Sequence, residues 1–113
     1  MSDLYILIDH EPVREPDLLV WGLWMEGADR RVAETTVGDH WVSTVFLGVD
    51  HDFSMKGPPI LFETMVFDKD HHGIDQRRYH TWDEAARGHD ETVWLLKQEL
   101  SHEPPAEPGA ESA

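Results

Sequence analysis

Two apolar segments joined by a polar loop constrain the fold of this chain more than any other feature. Residues 41–48 and 60–67 each place bulky apolar side chains on both faces of an extended strand, because successive side chains of a strand point to opposite faces. Strands of this kind usually lie in the middle of a sheet that is covered on both sides. Glu63 interrupts the second segment, so it must reach solvent or a partner such as an arginine.

The preceding residues predict a strand, a helix and a hairpin. The apolar run 4–9 predicts a strand that joins the sheet, and the segment 11–17, with two prolines, predicts an extended connector. Apolar residues at helical spacing predict a helix over 17–28 with one broad face on the sheet. Residues 31–37 and the Gly38-Asp39 turn predict a hairpin that leads into the first central strand.

The residues after the second central strand predict a short strand and a long helix. The strand covers 77–80, and Thr81 with Glu84 forms a capping box at the start of a helix that runs to residue 100. His89 lies on the inward apolar face of that helix. A histidine in that position needs a hydrogen-bond partner, for which we expect Glu63, Thr64, Tyr79 or a backbone carbonyl.

Together these elements predict an α+β fold. A small, mainly antiparallel sheet of three or four strands carries two helices, in the order strand, helix, strand, strand, strand, helix. The sequence leaves open whether the helices share one face of the sheet or lie one on each. Residues 1–102 form a single domain, since 113 residues are too few for two stable cores. Residues 103–113 are rich in Pro, Glu and Ala and predict a disordered tail.

Charge and composition exclude several classes of function. The chain has 23 acidic and 9 basic residues, a formal net charge of −14. Such a surface repels nucleic acid and anionic membranes and attracts a basic partner. There is no Cys, which excludes thiolate zinc sites and a cysteine nucleophile. No apolar run is long enough to span a membrane, so we expect a soluble protein that is not exported, and the absence of Cys is consistent with a reducing cytosol.

Two groups of residues are weak catalytic candidates. Asp50 and His51, followed by Asp52, could bind a divalent metal or act as an acid and base, or they could simply hold the loop through Asx turns. Glu63 and His89 could meet the polar residues 77–79 in a cluster that is either structural or catalytic. No sequence motif of a known catalytic class accompanies either group, so we predict a protein that is not an enzyme.

A histidine-rich segment is a weak metal candidate. Residues 68–73 match the start of a calcium loop, but Tyr79 stands where such a loop requires a bidentate Glu. The pattern instead favours weak transition-metal binding by His71, His72 and His80. We therefore predict no cofactor.

Several segments resemble one group of proteins. These are 42–48 (VSTVFLG), Asp50-His51, 61–67 (LFETMVF), Asp29-Arg30, 78–85 (RYHTWDEA) and Gly88-His89. The pattern is similar to a group of small uncharacterised proteins encoded by bacteriophages and prophages. The resemblance covers about residues 17–95. It implies a phage accessory protein in the cytoplasm of the bacterial host, without naming a mechanism.

These observations lead to one functional hypothesis and two alternatives. The leading hypothesis is a small acidic accessory protein, not an enzyme, that binds a basic host or phage protein, for example one that itself binds nucleic acid. The first alternative is a small metal-dependent enzyme that uses the Asp50-His51 loop. The second is a structural, self-assembling phage component. Homodimer formation stays open.

Overall fold

The computed structural model describes residues 3–54 and 56–101, which form two helices and two antiparallel sheets. The predicted tail at 103–113 and the end of the predicted domain lie outside these residues. The elements are β1 Tyr5–Ile8, β2 Glu11–Arg14, α1 Leu18–Gly27, β3 Arg31–Val37, β4 His40–Phe46, β5 Phe62–Phe67, β6 Gly73–Tyr79 and α2 Trp82–Ser101. This arrangement confirms the predicted α+β class.

The larger sheet has four antiparallel strands in the order β3-β4-β5-β6. The two apolar segments therefore form its central strands, as predicted, with Val42 opposite Val66 and Phe46 opposite Phe62. The β3-β4 hairpin turns at Gly38, whose φ of +58° is one that glycine adopts readily. The last strand is longer than predicted, because it begins at Gly73.

The first strand does not join the large sheet, contrary to the prediction. β1 pairs with β2, so the segment expected to be an extended connector forms half of a separate hairpin. Asp9 and His10 make the turn with φ of 52° and 70°, as a primed two-residue turn requires. The His10 ring stacks on Trp82 at 3.6 Å between centroids, and this contact joins the hairpin to the first residue of α2.

The core lies on one face of the large sheet, beneath α2. Phe46 and Phe62 have no solvent exposure, and their ring centroids lie 5.3 Å apart. Leu61 and Ala85 complete this cluster, while Val42, Val66 and Leu96 belong to a second cluster along the same helix. Burial of each large apolar side chain contributes roughly 1.5–3 kcal/mol, so these contacts dominate the stability of the domain.

Helix α1 lies on the same side of the large sheet as α2. Asp17 caps it by accepting hydrogen bonds from the amides of Leu19 and Val20. Its Trp24 meets Phe46 edge-on at 5.8 Å. A side chain at Gly48, where φ is +80°, would collide with Met25, so glycine allows α1 to approach the end of β4.

Helix α2 begins with the predicted capping box. The Glu84 amide donates to Thr81 Oγ1 at 3.1 Å, and the Thr81 amide donates back to Glu84 Oε1 at 3.2 Å. Gly88 is buried against the Tyr79 ring, which leaves no room for a side chain there. Neither helix of the described residues is long and apolar enough to cross a membrane.

The opposite face of the large sheet carries no helix among the described residues. The sequence left open whether the two helices share one face of the sheet or lie one on each, and both lie on the same face. Trp41 and Phe67 stack at 5.2 Å on this open face, and the Arg31 guanidinium lies 5.7 Å from the Trp41 ring. The aromatic and charged side chains thus cover one another and stay half-buried or exposed.

The one-sided core predicts a clear contrast between two phenylalanines. Phe46→Ala removes a fully buried ring and should lower the free energy of unfolding by roughly 3–5 kcal/mol. Phe53→Ala removes a ring that is 70% exposed and should change it by less than about 0.5 kcal/mol. Urea unfolding of both variants measures the difference, and equal effects would contradict the assigned core.

Candidate functional site

The Asp50-His51 loop is held by its own hydrogen bonds. Asp50 Oδ1 accepts from the amides of Asp52 at 2.8 Å and Ile60 at 3.0 Å, and so closes the base of the loop. The His51 Nδ1 atom lies 2.8 Å from the Val49 carbonyl oxygen. This geometry supports the structural interpretation of these two residues as loop-holding groups, because Asp50 Oδ1 and His51 Nδ1 both bond the backbone of their own loop.

Asp52 organises the far side of the same loop. Its carboxylate accepts from the Ser54 hydroxyl at 2.5 Å and from the amide of Gly57 at 3.2 Å. The Ser54 hydroxyl bond is the main cause that lowers the pKa of the Asp52 carboxyl, followed by backbone amides. Asp52 therefore stays charged at neutral pH as a loop acceptor.

The second loop brings two carboxylates and one histidine together. Asp68, Asp70 and His72 can each place a ligand atom within 4.8 Å of the others. Asp68 Oδ1 already accepts from the amides of Asp70 at 2.9 Å and His72 at 3.0 Å. The His72 amide bond is the main cause that lowers the pKa of the Asp68 carboxyl. These bonds are those of an Asx turn between two strands.

The three histidines proposed as metal ligands do not form one site. His71 and His72 precede β6, whereas His80 follows it. Seven residues of extended strand separate the two ends by about 20 Å, too far for a shared ion. His80 Nδ1 also lies 2.9 Å from the Pro59 carbonyl oxygen, which holds its ring against the first loop.

The expected cluster of Glu63 and His89 is wrong, because the sheet separates them. Glu63 points to the open face, where it accepts from Arg78 Nε at 3.1 Å and from the Gln76 side chain. The predicted arginine partner of Glu63 is thus confirmed. Tyr79 points to the helix-covered face, opposite Phe62, and its buried hydroxyl has no hydrogen-bond partner among the described residues.

His89 joins α2 to three strands through a buried chain of hydroxyl groups. Its Nε2 lies 2.8 Å from Thr35 Oγ1, and its Nδ1 lies 2.8 Å from Thr44 Oγ1. Thr44 in turn bonds Thr64 Oγ1 at 2.5 Å. Of the expected partners, Thr64 is reached through Thr44, whereas Glu63 and Tyr79 are not reached. A neutral ring satisfies this chain with one donor and one acceptor nitrogen.

Burial decides the protonation of His89. The ring is 2% exposed, and the loss of solvent is the main cause that lowers its pKa, partly opposed by the charge of Asp90. The ring therefore stays neutral at physiological pH. With no substrate access and two threonine partners, His89 is a structural group.

An exposed apolar surface on α1 is the feature that the sequence analysis missed. Leu18, Leu19 and Leu23 are exposed, although the segment was expected to bury one broad face on the sheet. Its inward contacts come from Trp21, whose Nε1 donates to the carbonyl of Tyr5 at 3.1 Å, and from Trp24. A sequence signal was present, since nine of the ten residues of α1 are apolar or glycine and such a helix needs cover on every side.

A pH series of stability measurements tests the role of His89. Because the folded pKa is lowered, the unfolded chain binds the extra proton first, so stability falls as the pH drops below about 6.5. One such group gives a slope of at most about 1.4 kcal/mol per pH unit. We expect the free energy of unfolding of His89→Gln to lose this dependence on pH between about pH 6.5 and 5. This window lies above the usual pKa values of carboxyl groups.

The exposed His71 provides the control, so His71→Gln should keep the wild-type slope. Unfolding in urea at each pH gives the free energies. A His89→Gln variant with the wild-type slope would show that another group causes the pH dependence.

Metal titration tests the two loops separately. We expect weak binding of zinc or nickel by the Asp68-Asp70-His72 group. Asp70 and His72 are exposed, so their side chains are already well hydrated without a metal ion. His72→Ala should weaken this binding, while His80→Ala at the other end of β6 should leave it unchanged. Calorimetry of chelator-treated protein measures both. A submicromolar site that His51→Ala abolishes would contradict this assignment and support the metal-dependent enzyme.

Comparisons with known proteins gave no match: no protein-family model, curated protein or solved structure matches the chain. The charge of the chain, the hydrogen bonds of the candidate residues and the exposed surfaces of the fold are therefore the features that bear on function. The catalytic candidates carry structural bonds, and among the described residues α1 carries more exposed large apolar side chains than any other element, namely Leu18, Leu19, Val20 and Leu23.

Proposed function

We propose that this chain is a small phage-type accessory protein that binds a basic protein and catalyses no reaction. The observation that carries the proposal is the excess of 23 acidic over 9 basic residues. An acidic surface attracts basic partners over several ångströms and raises the rate of encounter. The resemblance to small phage proteins supports the accessory role, and with it a place in the bacterial cytoplasm.

The ion pairs of the fold add to this argument. Several of the few cations are already paired within the chain: Arg14 with Asp3 at 3.2 Å, Arg31 with Glu34 at 2.6 Å, Arg77 with Glu91 at 3.3 Å and Arg78 with Glu63 at 3.1 Å. The remaining acids include Asp83, Asp90 and Glu99, exposed along α2. These three acids take part in none of the ion pairs among the described residues, and the excess of negative charge favours a basic protein as partner.

The geometry favours binding over the enzymatic alternative. Asp50 and His51 hold their loop together, and Glu63 and His89 lie on opposite faces of the sheet. A general base needs a ring or carboxylate atom within reach of a substrate proton, whereas the contacts of Asp50 and His51 are those that hold a loop and His89 is buried. A nucleic-acid-binding protein fits the proposed partner class well, since its own basic surface complements an acidic chain.

Affinity capture from bacterial lysate at two salt concentrations tests the proposal. We expect a basic protein to be retained at about 50 mM NaCl and released at about 500 mM, because exposed charges are screened over a few ångströms at high salt. A folded, unrelated protein of matched size and net charge is the control for ion exchange. The captured protein is then purified, and its Kd is measured at both salt concentrations.

Three results would contradict the proposal. The first is retention of the same proteins by the charge-matched control. The second is a captured partner without a basic surface. The third is a Kd that does not change with salt, since binding would then not depend on charge.

A further inference from the structure

The outward face of α1 forms a shallow apolar groove. Leu18, Leu19 and Leu23 are 68%, 72% and 63% exposed, and together with Gly22 and Glu26 they line about 500 Å³. A side chain built at Gly22 would meet no atom within 4 Å. The floor of the groove is therefore backbone, and another helix could approach it closely.

Helix α1 is apolar on its inward face as well. Trp21 donates to the carbonyls of Tyr5 and Gly48, and Trp24 packs on Phe46. The inward face is thus occupied by the fold, and the outward leucines are additional to it. Helices that are apolar all round are normally covered on all sides, and exposed apolar patches with a polar rim mark interaction sites.

Acidic side chains lie at both ends of the groove. Glu15 and Asp17 precede the helix, Glu26 lies in its last turn, and Asp29 follows it. Residues 15–29 contain no Lys or Arg. The nearest arginines have partners elsewhere: Arg14 pairs with Asp3, Arg30 donates to the Phe46 carbonyl, and Arg31 pairs with Glu34.

This charge pattern indicates which kind of molecule fits the groove. A second copy of α1 would place Glu26 beside Glu26 in a parallel pair and beside Glu15 and Asp17 in an antiparallel pair, so both orientations bring like charges together. The chain's own segment 103–113 has no bulky apolar residue to fill the groove. A basic amphipathic helix satisfies both the leucines and the acids.

We infer that the outward face of α1 is a docking groove for one amphipathic helix of a basic protein, with apolar side chains on Leu19 and Leu23 and Lys or Arg at both ends. This inference rests on the proposed function and assigns it to a surface. A ten-residue helix is about 15 Å long, so it matches about three turns of the partner helix. Apolar anchors supply the affinity, and the charged rim supplies steering and orientation.

The test uses a synthetic peptide of about 14 residues, enough for four helical turns, with leucines on one face and Lys or Arg on the others. A scrambled peptide of the same composition separates helical recognition from charge alone. Fluorescence anisotropy gives the Kd, and amide chemical shifts of the full-length protein locate the contact. We expect shifts at α1 and at least about tenfold weaker binding of the scrambled peptide.

Two matched triple variants test the location of the groove. Leu18→Ser/Leu19→Ser/Leu23→Ser removes the α1 surface, and Ile74→Ser/Trp94→Ser/Leu95→Ser removes exposed apolar side chains elsewhere on the fold. Their melting temperatures show whether each is folded. We expect at least about tenfold weaker binding by the α1 variant alone. Glu26→Arg, which keeps the leucines, should also weaken binding.

Other outcomes overturn the inference in distinguishable ways. Equal binding by the α1 variant and the wild type, with salt-sensitive capture retained, would place the partner elsewhere and leave the proposed function standing. Loss of salt-sensitive capture by the wild type would overturn both. A dimer of the free protein that the α1 variant abolishes would assign the groove to a second copy. Binding to phosphatidylcholine vesicles that the α1 variant abolishes would assign it to a membrane surface.

Discussion

The packing of Phe46 against Phe62 is the contact on which the rest of this fold depends. These rings lie side by side on the two central strands and have no solvent exposure. Trp24 of α1 and Trp82 of α2 both meet this pair edge-on, at 5.8 and 6.2 Å. Trp82 in turn carries the stacked His10 ring of the β1-β2 hairpin. One aromatic cluster therefore gathers both helices and the small hairpin on a single face of the sheet.

The one-sided arrangement explains which functional candidates could be located from sequence. The central strands, the Gly38 turn and the capping box of Thr81 and Glu84 were predictable, because each rests on local chemistry within a few residues. The partners of His89 were not predictable. They depend on which sheet face α2 covers, and both faces of the central strands are apolar. Once Phe62 is known to be covered, strand alternation alone sends Glu63 to the other face, away from His89.

The α1 surface and the β1-β2 hairpin illustrate a second limit. Asp9 and His10 lack the glycine that usually marks a primed turn, and Pro12 in β2 argues against a strand. The apolar sequence of α1 predicts burial but does not say whether the sheet or another molecule provides it. The composition of α1 predicts a helix that needs apolar contacts on all sides. Only the three-dimensional structure shows that its leucines are exposed.

The combination of an acidic surface and an exposed apolar helix gives the proposed function its physical basis. Negative charge on a small domain discourages self-association and steers basic partners, whereas apolar contacts slow dissociation once a complex has formed. The hydroxyl chain at His89 and the loop bonds of Asp50 contribute rigidity to this scaffold, since each joins separate segments of the chain. The proposed binding surface and the residues that stabilise the fold are thus different.

An experimental structure of the protein with its captured basic partner would test the central claim most directly. The account predicts that one partner helix lies along α1, with apolar side chains in contact with Leu19 and Leu23 and with Lys or Arg near Glu15 and Glu26. A complex in which the partner covers the open face around Trp41 and Phe67, and leaves the leucines of α1 exposed, would contradict it.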